Sequence, residues 1–201
     1  MKSFLQTLME THNQNPSTTC EPVYLERPGK LLLLFKKYNI KSVFDSGCKD
    51  LHWVRHFDFV ENNIKYIGGE ISQFMVDIAK NLFPNYEIIQ HNATIDPLPD
   101  VDLLLSNDVM IHLNNQDKFK FLKNFANSNI DYLLMSDSGQ LEKNIDNFYK
   151  EDLQEYPFSH VNWYLPPWNF PTAIDYINDF HGDQRLKLWN RQQVKQVVDN
   201  I

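Results

Sequence analysis

The chain has 201 residues, 42% of them hydrophobic and 13% aromatic, enough to enclose the core of one medium-sized domain. A formal net charge of -7, with no concentrated basic stripe, argues against electrostatic capture of nucleic acid or of an anionic membrane. Two cysteines, Cys20 and Cys48, make neither a disulfide framework nor a CxxC metal pair, and no apolar run suits a signal peptide or membrane span, so a soluble cytoplasmic protein is expected.

In chain order, Phe4, Leu5, Leu8 and Met9 fall at helical spacing and predict a short amphipathic helix over Lys2–Thr11. Asn13–Pro28 carries three prolines and reads as a loop, either a linker or a lid. Gly29–Tyr38 is continuously apolar and is expected to pack on a sheet as the helix before the first strand. Ser42-Val43-Phe44 is that strand, with Asp45 at its carboxyl end, then Ser46 and Gly47. Trp53, Val54 and Phe57 then lie on one stripe of a helix-compatible segment. Strand, acid, glycine turn and helix is how an open α/β sheet makes room for a nucleotide-like ligand, though a plain β-to-α turn has the same pattern. Glycine permits close backbone approach, and a helix N-terminus offers unused N–H groups. No GxxxxGK[ST] loop is present, so triphosphate cradling is not the suggested use.

Ile64–Gly69 predicts a second strand closed by Glu70, placed either to take both hydroxyls of a ribose or simply to face solvent. Ser72 is a helix cap for a segment through Phe74, Met75, Ile78, Ala79 and Leu82, ended by Pro84. Tyr86–Gln90 is a third strand followed by His91-Asn92-Ala93, where the Asn92 amide offers donor and acceptor to an adenine edge. Val101–Leu105 has the flat hydrophobicity of a buried parallel strand and leads into Ser106-Asn107-Asp108. Gln116–Phe125 reads as a helix with Phe119, Leu122 and Phe125 inward, and Asp131–Met135 as a fifth strand ending in Ser136-Asp137-Ser138. Phe148–Pro171 is aromatic and proline-rich; a short helix over Ala173–Phe180 and a late strand over Arg185–Trp189 follow.

Strands alternating with helices, polar residues at strand carboxyl ends and a late hairpin predict a Rossmann-like, doubly wound α/β fold, its mostly parallel sheet carrying an antiparallel edge hairpin. A single domain is expected over residues 1–201: N-terminal helices and a lid-like loop over 1–40, the ligand-binding core over 41–138, and an acceptor-side aromatic segment with edge strands over 139–201.

VFDSGCKD, YIGGEIS and HNATIDPLPDVDLLLSNDVMIHL resemble the successive motifs of class I S-adenosylmethionine-dependent methyltransferases. The chain is most similar to a largely uncharacterised subgroup of small-molecule or sugar type. Its GCxD…W, DVxxHL and NWxxLxxPP motifs read here as Gly47-Cys48-Lys49-Asp50 with Trp53, Asp108-Val109 with His112-Leu113, and Asn162-Trp163 through Pro166-Pro167-Trp168 to Pro171. The resemblance implies the class I methyltransferase fold and S-adenosyl-L-methionine as cofactor, with S-adenosyl-L-homocysteine as product. It implies Asp45 near the methionine amino group, close backbone passage at Gly47 and Cys48, ribose on Glu70 and adenine against Ile71. Asn92-Ala93 would line the adenine edge and Ser106-Asn107 would pass under the methionine moiety. Lys49 stands where the family has a second glycine, and a left-handed backbone there would cost about 1–2 kcal/mol.

Methyl transfer to a hydroxyl needs in-line alignment, exclusion of water and a base for the proton. Asp108 and His112 are the candidates, sharing one face if they lie i, i+4 on a helical turn; His112 could equally be a packing residue. Asp137 could orient an acceptor hydroxyl or cap a helix; His160 and His181 are looser candidates, and no spacing demands a metal. Trp163 and Trp168, flanked by Asn162 and Asn169, read as a sugar-stacking acceptor site, or as an edge packed on the sheet or into a homodimer. The expected activity is O-methylation of a small polar acceptor such as a sugar, free, nucleotide-linked or in a glycan. The rivals are N- or carboxyl-methylation of another metabolite, and a catalytically degenerate fold-mate that binds a partner.

Overall fold

The computed structural model describes residues 23–51, 53–146, 159–178 and 184–201. Seven strands form one sheet: β1 (Ser42–Ser46), β2 (Lys65–Glu70), β3 (Glu87–Gln90), β4 (Leu103–Ser106), β5 (Tyr132–Ser138), β6 (Asp175–Asn178) and β7 (Gln184–Asn190), in the order β3-β2-β1-β4-β5-β7-β6. β1 pairs with β2, β2 with β3 and β4 with β5 in parallel. β7 runs antiparallel to both β5 and β6, which supplies the expected edge hairpin. Among the described residues four α-helices accompany the strands: α1 (Val23–Lys37), α2 (Gln73–Leu82), α3 (Asn115–Ala126) and α4 (Arg191–Asn200). By packing, the chain divides into two compact units, Met1–Asn92 and Ala93–Ile201. Among the described residues no helix is long and apolar enough to cross a membrane.

In the first unit α1 buries Leu31, Leu34 and Phe35, while β1 buries Val43 and Phe44. α2 starts where Ser72 accepts from the Met75 N–H, the capping bond expected for a serine at that position. Gly69 has to be glycine for a packing reason: a Cβ there would lie 2.3 Å from the Phe44 ring. That ring also meets His91 edge-on at 4.9 Å.

In the second unit β4 is buried along its whole length, as its run of leucines requires of a parallel strand. Asn114 caps α3 through the Asp117 N–H, and Asn190 with Gln193 forms a capping box on α4. β5 and β7 align Met135 with Lys187 and Asp137 with Arg185, so Lys187 is the diagonal neighbour of Asp137 on one face.

Several elements differ from the sequence expectation. Residues 23–28 belong to α1 rather than to a loop, Pro28 being accommodated inside the helix because its apolar face outweighs one forfeited hydrogen bond. Trp53, Val54 and Phe57 do not lie on a helix: only a 3₁₀ turn, Val54–His56, forms there. α3 turns Phe121, not Phe119, into the core beside Leu122 and Phe125. Where a helix was expected from Ala173, the described chain forms β6, because pairing with β7 buries Ile177 and leaves Tyr176 exposed in strand alternation. α4 was not foreseen at all. The expected helix over Lys2–Thr11, the loop or lid over residues 13–22, Cys20, His181 and the segment 148–158 lie outside the described residues.

Candidate functional site

β1 and β2 each carry a buried carboxylate toward their carboxyl ends. Asp45 is the fourth residue of β1 and Glu70 the last of β2, each 1% exposed. Tyr66, Gly68 and Glu70 alternate onto one face of β2, with Tyr66 paired to Val43 and Gly68 to Asp45. From that face the Tyr66 hydroxyl donates to Asp45 Oδ2 at 2.8 Å, and Trp53 Nε1 donates to the same oxygen at 3.2 Å. Burial pushes the Asp45 carboxyl up from 3.8 to about 7, against the two hydrogen bonds and the charge of Arg27, which pull it down.

Glu70 is held differently. The Lys49 N–H donates to Oε2 at 3.1 Å and the Ser72 N–H to Oε1 at 3.0 Å. Burial still raises its pKa, the backbone donors offsetting part of that rise. A third acid, Asp50, is 3% exposed, and its Oδ1 has no hydrogen-bond partner among the described residues. All three carboxylates act on Cys48: burial pushes that thiol well up, and Asp45, Glu70 and Asp50 push it further. The thiol is therefore protonated and inert.

The connection after β1 has an unusual backbone. Gly47 (φ 79), Lys49 (φ 49) and Leu51 (φ 58) are all left-handed, so the expected strain at Lys49 is present and Leu51 shares it. Leu51 is fully buried, which anchors the turn, whereas Lys49 is exposed. The N–H groups of Gly47 and Cys48 both donate to Gly69 O, at 2.7 and 3.1 Å. With Lys49 N–H on Glu70, the three successive amides serve β2 and none is left as a cradle. Among the described residues no α-helix follows them, only the 3₁₀ turn Val54–His56, so no helix N-terminus is offered there. Ile71 and Asn92 are half-buried; the Ile71 carbonyl accepts from Gln90 Nε2 at 3.1 Å.

In the second unit the polar residues after β4 are tied to β5. Asp108 is left-handed (φ 57), its N–H donates to Ser136 Oγ at 2.8 Å, and that hydroxyl donates to Asn107 Oδ1 at 3.3 Å. Ser106 Oγ and Asp108 Oδ1 are buried without a hydrogen-bond partner among the described residues. His112 closes a 3₁₀ turn, Met110–His112, and is half-buried. Asp108 and His112 are therefore not i, i+4 on a helix; the reversed backbone at Asp108 precedes the turn. Ala93 is buried, its carbonyl accepting from Asn124 Nδ2 at 2.9 Å, and His160 is half-buried.

Asp137 neither faces an open site nor caps a helix. Its Oδ2 lies 2.6 Å from Lys187 Nζ, both side chains buried, and its Oδ1 accepts from the Trp163 N–H at 3.0 Å. Lys187 also stands 3.9 Å over the Tyr164 ring. Trp163 is fully buried with Nε1 on Ser136 O at 2.8 Å, and Trp168 and Asn162 are buried too. The two tryptophans offer no ring face to a sugar; they pack on each other, with ring centroids 5.4 Å apart. Asn162 and Asn144 form a clasp instead. Asn162 Nδ2 donates to the Gly139 and Leu141 carbonyls, and Asn144 Nδ2 to those of Asn162, Leu165 and Pro166. Of the expected acceptor residues only Asn169 is exposed.

Sequence reading overlooked Arg27 and Tyr66, and placed Asp50 in a motif without giving it a role. Tyr66 had a signal, since it sits two and four residues before Gly68 and Glu70 on the same face of β2.

A doubly wound sheet with β7 inserted antiparallel between β5 and β6 is the class I methyltransferase fold. Solved structures agree. The chain is similar to a protein of Pyrococcus horikoshii at a TM-score of 0.62 and 15% identity, over 90% of this chain and 98% of that one. Magnesium protoporphyrin IX methyltransferase of Synechocystis, crystallised with bound SAM, matches at 0.63 and 12%, over 95% and 98%. Human N-acetylserotonin methyltransferase in complex with SAM matches at 0.59 and 14%, over 92% and 55%. No family model matches the chain, and no curated protein matches its sequence.

Proposed function

We propose that the chain is a methyltransferase that uses S-adenosylmethionine to O-methylate a small polar hydroxyl compound, with sugars the first class to try. The observation that carries this reading is the trio of buried carboxylates, Asp45, Asp50 and Glu70, on a fold whose similar solved structures include methyltransferases with bound SAM. A group suited to this trio brings positive charge and hydroxyl donors, since every side-chain oxygen there is an acceptor. S-adenosylmethionine has an ammonium, a sulfonium and two ribose hydroxyls, and the unpartnered Asp50 Oδ1 is an acceptor awaiting such a donor.

Glu70 would hold the ribose: it is the acid that closes β2, and the Lys49 and Ser72 N–H groups orient its two oxygens. Asp45 and Asp50 would receive the cationic end, with Ile71 and Asn92 at the adenine. When bound, the cofactor supplies a methyl group already activated by the sulfonium. The protein then has only to align the acceptor, exclude water and take a proton. Asp108, whose Oδ1 is buried and unpartnered, or His112 would accept that proton from the hydroxyl.

Calorimetry with S-adenosylhomocysteine tests the cofactor half: wild type binds, and Glu70→Ala weakens binding about ten- to a hundredfold. Labelled methyl transfer to a panel of free and nucleotide-linked sugars tests the acceptor half. Asp108→Asn or His112→Asn should lower turnover while leaving cofactor affinity unchanged. Turnover on protein or RNA alone would overturn the acceptor assignment.

A second reading, a binding protein on this fold, is favoured by the three amides after β1 that are spent on β2. Absence of heat with S-adenosylhomocysteine at high concentration would support it.

A further inference from the structure

We propose that Tyr66 and Trp53 are positioning residues that grip Asp45 by one oxygen and thereby present its other oxygen, ionised, to the ammonium group of the bound ligand. The inference rests on the cofactor reading above but concerns two side chains that reading does not use.

Among the described residues both hydrogen bonds to Asp45 fall on Oδ2, at 2.8 Å from Tyr66 and 3.2 Å from Trp53, and none falls on Oδ1. An sp² oxygen with two donors has its lone pairs filled, so a further donor must go to its neighbour. The two donors come from different elements: Tyr66 from within β2, Trp53 from the turn after β1. Together they fix the rotation of the carboxylate. Tyr66 is itself held in an aromatic cluster, 4.5 Å from Phe59 and 5.2 Å from Tyr86 between ring centroids, and Trp53 lies 6.0 Å from Phe59. The grip is therefore built on packed rings rather than on mobile side chains.

Charge supports the same role. Asp45 is buried, and among the described residues no cation is in hydrogen-bond contact with it. The groups that act on it are Arg27 from α1, which favours the anion, and Glu70 from β2, which disfavours it. Asp50 and Cys48 belong to the same cluster through the coupling of both carboxylates to the thiol. Two neutral donors are what keep the buried carboxyl near the edge of ionisation at neutral pH instead of far above it.

The test compares wild type with Tyr66→Phe, Trp53→Phe and Tyr86→Phe, the last removing a hydroxyl from the same cluster without touching Asp45. S-adenosylhomocysteine affinity is measured by calorimetry across the neutral range, and the Asp45 carboxyl is titrated by carbon NMR in the ligand-free protein. In wild type affinity should weaken as pH falls through about 7. Tyr66→Phe should move that midpoint up by about one pH unit, so that at about pH 7 it binds about fivefold more weakly and recovers at higher pH. Trp53→Phe should shift it in the same direction by less, and Tyr86→Phe should not shift it. A merely structural tyrosine would lower stability without moving the midpoint, and that result overturns the proposal while leaving the cofactor reading intact. If the ligand binds nowhere in the range, the cofactor reading fails. The NMR titration then decides: a Tyr66-dependent midpoint supports the grip, and an unmoved one overturns it.

Discussion

Asp45 and Asp137 invite comparison. Each is an aspartate in the carboxyl-terminal part of a central strand, each 1% exposed, and each takes a hydrogen bond involving a tryptophan. Asp137 has an internal cation, with Lys187 Nζ at 2.6 Å, and the Trp163 backbone on its other oxygen. Among the described residues Asp45 has only neutral donors in contact, both on one oxygen. The first is a closed structural joint between β5 and β7; the second still has an acceptor to offer. Burial alone does not separate an acid paired with an internal cation from one held by neutral donors, but the identity of the partner does.

The largest way to break the contrast is to remove the cation. Lys187→Met strands a buried carboxylate and should lower stability by about 3–5 kcal/mol in urea unfolding, with Asp137→Asn in the same chain restoring much of it.

Asp45→Asn should act in the opposite sense. The folded pKa of Asp45, about 7, exceeds the ordinary 3.8, so the folded state holds a proton the unfolded chain has released. Its contribution is full below 3.8 and is lost as pH rises through about 7. The asparagine cannot ionise, so the decline between those values should flatten, and at pH 8 the variant should gain on the order of 2–4 kcal/mol relative to wild type. Unfolding curves across that window check it.

Trp163→Phe tests how much of the Asp137 joint depends on its surroundings. It leaves Ser136 O without its 2.8 Å indole donor and should cost about 1–3 kcal/mol, read as a fall in thermal midpoint. The smallest effect belongs to the turn beside Asp45. Lys49→Gly relieves a left-handed lysine, less the entropy glycine gives to the unfolded state, for a gain of up to about 1 kcal/mol by chemical denaturation. Leu51→Gly, by contrast, should destabilise, because that side chain is fully buried.

Much of the fold was legible because periodicity reports burial. The leucines of β4, the alternation leading to Glu70 and the capping serine of α2 each carried a local signal that tertiary packing did not override. The stripe Trp53, Val54, Phe57 had helical spacing too, yet its residues serve an aromatic cluster and one hydrogen bond to Asp45, which a turn satisfies as well as a helix. Trp163 and Trp168 stayed open between an acceptor site and a packed edge because an aperiodic aromatic segment reads alike whether its rings face inward or outward. Only β5 and β7, distant in sequence, decide the question, through Ser136 O and the Asp137–Lys187 pair. α4 escaped notice because only Val194 and Val197 of its ten residues are buried apolar anchors.

Phe44 has a consequence beyond its own burial. One ring from β1 fills the gap left by Gly69 on β2 and meets the residue that follows β3. The ends of three neighbouring strands thus take their spacing from a single wedge. Since Asp45 is next to that ring and Glu70 next to that glycine, the wedge acts as a gauge block: shaving it would detune both acids together, with no substitution at either.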